Sequence, residues 1–147
     1  VENDRLFVGL SHTEGYCAAA VAVGYPVGID VQTLKPIHSR LRRAVGEPRE
    51  WPLLGNGQSE DETFMVLFSA KEAVLKGERR GFSTGKRLLQ CHLQAVETQG
   101  IYRRLLIHTE RNRWKVRTQT LDNGKAVFSL AVPQAVSVPK INFAFES

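Results

Sequence analysis

Hydrophobic and polar positions change their spacing along this chain, and the changes mark its elements. Residues 16–23 are small and apolar, Gly24-Tyr25-Pro26 gives a turn signal, and 27–31 is β-branched and apolar around Gly28. The two runs read as two strands of one sheet, with Asp30 near the end of the second. Residues 38–45 read as a short basic helix bounded by Gly46 and Pro48, and 51–57 as a loop of turn residues. The segment after it carries the fullest set of local signals. Ser59-Glu60-Asp61-Glu62 has the form of a capping box, in which Ser59 accepts from the third backbone N–H and Glu62 reaches back to the cap. Three acidic side chains open this helix, Lys76, Arg79 and Arg80 close it in accord with the helix dipole, and Gly81 stops it.

Beyond Gly81 the period becomes two. Leu89, Cys91, Leu93 and Ala95 alternate with polar residues, Trp114 and Val116 do the same, and Phe128, Leu130 and Val132 form a third alternating set. Asp122-Asn123-Gly124-Lys125 between two of these strands is a strong hairpin signal, because Asn-Gly tolerates the positive φ angles of a tight primed turn. The expected fold is therefore α+β, an antiparallel sheet packed against one long helix. A length of 147 residues suits one domain. Residues 1–132 form the unit, and 133–147, which carry Pro139 and no sustained pattern, read as a tail or edge strand.

Composition narrows the classes. No apolar run approaches the roughly 18–20 residues of a membrane span, and the opening Val1-Glu2-Asn3-Asp4 lacks the basic-then-apolar order of a signal peptide. The expectation is a soluble, cytoplasmic protein whose start is cut or internal. Cys17 and Cys91 have no partner at metal-finger spacing and read as buried thiols. Lys and Arg number 20 against 15 Asp and Glu, with the excess gathered at Arg40/Arg42/Arg43, Arg79-Arg80, Arg103-Arg104 and Arg111/Arg113. Such a balance favours anionic partners. Nucleic acid is disfavoured among them, because the chain has neither an aromatic-rich strand motif nor a recognition-helix pattern.

On a helical wheel Phe64, Leu67, Phe68, Val74 and Leu75 form one apolar stripe, and Lys71 falls inside it. A cation there must snorkel, pair or contact an anion. Glu72 and Lys76, four apart, share one border of the stripe, where an ordinary exposed pair is the plain alternative. Asp30 either caps a turn or, facing a helix-borne Glu, helps to hold a hard cation. Ser11-His12, read as a turn at a strand entry, adds a hydroxyl and an imidazole able to donate to phosphate oxygens.

Taken in order, Ser11-His12 with Gly15, Val27-Gly28-Ile29-Asp30, and the run from Phe68 through Lys71-Glu72 to Lys76 closely resemble the 4′-phosphopantetheinyl transferases. The Ser-His-Thr-Glu-Gly-Tyr-Cys run looks most like the larger, two-half type that activates siderophore and other secondary-metabolite synthases, including those for polyketides and nonribosomal peptides. The resemblance runs from about 11 to 132 and falls mainly on the C-terminal half of that type. It implies magnesium held by Asp30 and Glu72, Lys76 on the coenzyme A pyrophosphate, Ser11 and His12 on coenzyme phosphates, and Lys71 beside the same anionic site. The implied reaction is attack by a carrier-protein serine on the β-phosphate of coenzyme A, releasing adenosine 3′,5′-bisphosphate. Glu72, directly or through a water on the metal, is the natural general base, and phosphoryl transfer needs little more than positioning and charge neutralisation.

Two departures stand out. The larger type has acidic-x-acidic after its Gly-Ile motif, whereas this chain has Asp30-Val31-Gln32. Gln32 can offer a carbonyl oxygen to the ion or to a water on it, with one negative charge fewer. The upstream half is also absent, so it is expected from elsewhere on the polypeptide, from another chain, or from self-association. The expected partners are coenzyme A and an acidic acyl or peptidyl carrier protein. The alternative reading is a non-catalytic module that binds coenzyme A or a carrier protein.

Overall fold

One helix organises the molecule. In the computed structural model, which describes residues 5–55, 58–79 and 87–136, the elements run β1 (Leu6–Thr13), β2 (Tyr16–Val23), β3 (Gly28–Thr33), α1 (Ser39–Val45), a 3-10 turn (Trp51–Leu54), α2 (Glu60–Gly77), a second 3-10 turn (Leu88–Gln90), β4 (His92–Gln99), β5 (Tyr102–His108), β6 (Arg113–Leu121) and β7 (Ala126–Pro133). Strands β3 to β7 form an antiparallel sheet in the order β3-β7-β6-β5-β4, and β1 with β2 forms a separate antiparallel ribbon. The architecture is α+β, as the alternating pattern and the long helix imply.

Helix α2 starts where its cap is written: Ser59 Oγ accepts from the Glu62 N–H at 3.2 Å. Glu62 does not fold back to close the box; its carboxylate accepts from Thr120 Oγ1 at 3.2 Å and ties the helix to β6. Phe64, Leu67, Val74 and Leu75 are buried as the stripe requires, but so are Met65, Val66, Ala70 and Ala73, because α1 and the Trp51–Leu54 turn cover the side of α2 that the sheet leaves open. The helix ends at Gly77 and Arg79 takes a positive φ of 58°. The expected closing residues Arg80 and Gly81, like the 137–147 part of the tail, lie outside the described residues.

Several expectations change. Residues 6–13 form a strand, so Ser11-His12 sits inside β1 rather than at a turn. The 16–23 and 27–31 runs do not pair with each other: β2 pairs with β1 and β3 with β7. Gly24, at φ 87°, turns the chain from the ribbon into the main sheet. Asp30 lies mid-strand, opposite Ser129. Leu89 and Cys91 precede β4, which starts at His92. Cys91 is buried, but Cys17 is exposed, because its strand position opposite His12 faces away from the core. The 122–125 turn has the expected positive φ at Asn123 (55°) and Gly124 (87°), but Asp122 shares it (52°), and with Leu121 paired to Ala126 the connection is a four-residue loop rather than a two-residue primed turn.

Candidate functional site

The contact that builds the site is made by a residue without a side chain. A Cβ on Gly28 would drive into the Ala73 carbonyl oxygen and lie 2.6 Å from the Gly77 nitrogen, so only glycine lets β3 press this closely on α2. Side chains two apart in a strand share a face. The face that presents Gly28 to the helix therefore also presents Asp30 and Gln32 to its last turns, where Glu72 and Lys76 stand one turn apart.

Asp30 is only 1% exposed. Its Oδ1 accepts from Lys76 Nζ at 2.9 Å, and Gln32 Nε2 donates to Oδ1 at 3.2 Å and Oδ2 at 3.1 Å. Lys76 also donates to Ser11 Oγ at 3.1 Å, and the same oxygen accepts from the Val31 N–H at 3.0 Å. Because β3 is an edge strand among the described residues, that N–H has no ladder partner there and takes Ser11 instead. Ser11 thus joins three elements: it caps the open edge of β3 from β1 and steadies the ammonium delivered by α2. Lys76 keeps a third of its side chain exposed, so its charge can reach a solvent-borne anion.

Burial pushes the Glu72 carboxyl up, the Asp30 charge adds to the rise, and Lys76 opposes it. Two carboxylates and one ammonium share the locale, leaving a net negative charge with an outlet to solvent. Among the described residues no group of three or more Asp, Glu, His or Cys could cage a metal. A hard cation such as Mg²⁺ does not need one, since it is usually held by one or two carboxylates with substrate phosphates and water filling the other positions. Asp30 and Glu72 fit that mode.

The other expected residues divide. His12 is exposed and projects from the ribbon face opposite to Ser11, so the two neighbours in sequence do not meet at one point. Lys71 does not join the Asp30 cluster: it is five residues from Lys76 on the helix, on a different face. Its Nζ is fully buried, donating to the Val45 carbonyl at 2.7 Å and to Glu50 Oε1 at 2.9 Å. Burial lowers its affinity for a proton, and Glu50 counteracts this. Gln32 is adjacent to Asp30 as expected, but it turns its N–H groups rather than its carbonyl to the carboxylate. Glu50 lies in an aperiodic stretch that marks it for no role. It accepts from the Glu47 and Leu93 N–H groups at 2.8 and 2.7 Å besides pairing with Lys71, and only its flanking prolines, which force a turn, hint at this.

No curated protein matches the chain. The family model of the 4′-phosphopantetheinyl transferase superfamily does, over residues 26–132. That span runs from the turn before β3 to the end of β7, and so includes Gly28, Asp30, Gln32, Glu72 and Lys76 but not Ser11 or His12. The match covers most of the sequence and holds every element that packs around α2, and on that ground the chain belongs to the 4′-phosphopantetheinyl transferase superfamily.

Proposed function

We propose that this unit transfers the 4′-phosphopantetheine group of coenzyme A to a serine of an acyl or peptidyl carrier protein, with Mg²⁺ as its cofactor. The observation that carries the reading is the Lys76 ammonium, held between Asp30 and Ser11 beside Glu72 with part of its length open to solvent. Asp30 and Glu72 would hold the cation, which when bound supplies charge neutralisation to the pyrophosphate. Lys76 binds a pyrophosphate oxygen, and Ser11 fixes where its ammonium lies. Glu72, raised in proton affinity by burial, accepts the proton of the incoming serine. The serine oxygen forms a bond to the β-phosphorus, and the bond to the adenosine 3′,5′-bisphosphate leaving group breaks. His12, exposed on β1, is left to contact an outer phosphate of the coenzyme.

The test is incubation with coenzyme A, Mg²⁺ and an apo carrier protein, reading the mass of the carrier. Gain of the phosphopantetheine mass is expected, and Asp30→Asn and Glu72→Gln should each abolish it; Glu72→Gln should leave the thermal transition in place, and Asp30→Asn, which breaks the ion pair with Lys76, should lower it while the chain stays folded at the assay temperature. A second reading, a non-catalytic module that binds coenzyme A or a carrier, draws support from Gln32, whose amide occupies Asp30. Binding of coenzyme A with no mass gain on any carrier tried would favour it.

A further inference from the structure

Both oxygens of Asp30 are occupied by N–H donors. Oδ1 accepts from Lys76 and Gln32, and Oδ2 accepts from Gln32. The orientation of the amide follows from its neighbour, because the opposite flip would set a carbonyl oxygen against a buried carboxylate, acceptor against anion. These bonds take three of the carboxylate's roughly four acceptor sites, so a cation approaching Asp30 competes with the donors for its negative charge and its open side. Ligands displace donors, so whatever stabilises the donor-bonded carboxylate opposes the cation.

We propose that Gln32 is a latch on Asp30, a positioning residue that keeps the carboxylate in its donor-bonded form and makes cation loading depend on arrival of the diphosphate ester. This rests on the phosphopantetheinyl-transfer reading of the site. Of the three N–H protons on Lys76, Asp30 and Ser11 take two. A diphosphate drawing on the same ammonium loosens its hold on Asp30, and a cation on Asp30 frees the ammonium for the diphosphate. Each ligand removes the other's competitor, and by linkage the factor by which coenzyme A tightens Mg²⁺ equals the factor by which Mg²⁺ tightens coenzyme A. Without the amide donors the apo carboxylate is left to Lys76 alone, and the cation has less to displace.

Calorimetric titration with Mg²⁺, with and without coenzyme A and with no carrier present, tests this without turnover. Gln32→Met keeps the length of the side chain and removes its donors. It should tighten Mg²⁺ binding to the coenzyme-free protein about tenfold, the worth of one charge-assisted hydrogen bond lost from the competing state, and shrink the enhancement by coenzyme A. Weaker binding in this variant would make Gln32 a carbonyl ligand of the ion, and unchanged binding would give it no role; either overturns the latch. A second readout needs no variant. In the wild type the Gln32 side-chain NH₂ resonances should move in step with Mg²⁺ occupancy, and an unmoved pair also defeats the idea. The Asp30→Asn variant separates the two levels: Mg²⁺ binding indifferent to it removes the cation site and the latch together. Binding lost in Asp30→Asn but indifferent to Gln32→Met removes the latch alone.

Discussion

Replacing Lys71 by Met asks whether this lysine serves the fold or the ligand. Its ammonium and the Glu50 carboxylate have no exposed side-chain surface. Removing one partner of such a pair usually costs about 3–5 kcal/mol, since the remaining charge is left buried. Glu50 keeps two backbone N–H donors, from Glu47 and Leu93, which soften the loss and put Lys71→Met near the lower end, about 3 kcal/mol. Glu50→Leu should cost more, because it strands the ammonium and also orphans both N–H groups, each worth about 1–3 kcal/mol. The double variant should cost less than the sum of the singles. Urea denaturation with a common m-value measures all three. Because burial lowers the Lys71 pKa, the unfolded chain binds more protons there, so its contribution to stability is fully present above the ordinary lysine pKa and lost as pH falls through the lowered one. Lys71→Met should flatten that alkaline rise. Well below its melting temperature the variant should keep the wild-type KM for coenzyme A. Wild-type stability combined with a raised KM would refute the placement and return Lys71 to the anionic site.

Three further predictions follow from other parts of the structure. Since Glu72 is raised above the ordinary carboxylate range, its protonated form persists to higher pH, and Mg²⁺ affinity should fall as pH drops through that raised value; Glu72→Gln should remove the dependence, and an unaltered profile would place the proton elsewhere. Arg42 stacks on Trp51 with its guanidinium carbon 4.2 Å from the ring centroid, whereas Arg40 and Arg43 are exposed, so Arg40→Glu with Arg43→Glu should raise the KM for an acidic carrier and weaken its salt dependence without changing that for coenzyme A. Leu6, Val8, Leu10, Val21 and Val23 are each 56–68% exposed on the outer face of the β1–β2 ribbon. Together they present on the order of 500 Å² of apolar surface, near the limit for a lone monomer. Sizing chromatography should therefore show association through a second copy that Val8→Lys with Val21→Lys abolishes; a wild-type monomer at high concentration would contradict it.

What the sequence revealed, and what it concealed, follows from how far apart the interacting residues lie. The start of α2 was readable because Ser59 and Glu62 belong to one turn, and a cap is a local bargain between a side chain and the next backbone N–H groups. Lys71 could be recognised as constrained from its place in the apolar stripe, but not as paired, because Glu50 lies 21 residues away in an aperiodic stretch. Strand β1 is hard to read for a different reason: its apolar residues Leu6, Val8 and Leu10 face outward while Phe7, Gly9 and Ser11 face inward, so the alternation is inverted relative to that of a half-buried strand. In β5 the pair Arg103-Arg104 reads as a charge cluster, although Arg103 points inward to Gln58 at 2.8 Å and Arg104 is exposed. The pleat that separates those two arginines also parts Ser11 from His12. The same period-two rule makes the site legible. Gly28 must face α2 because nothing larger fits there, so Asp30 must face it as well, and Glu72 and Lys76, one turn apart, meet it from the helix. Gln32, the next residue on that face, could not avoid the carboxylate. Its position followed from spacing alone, while the end of the amide it would present depended on the charge already waiting there.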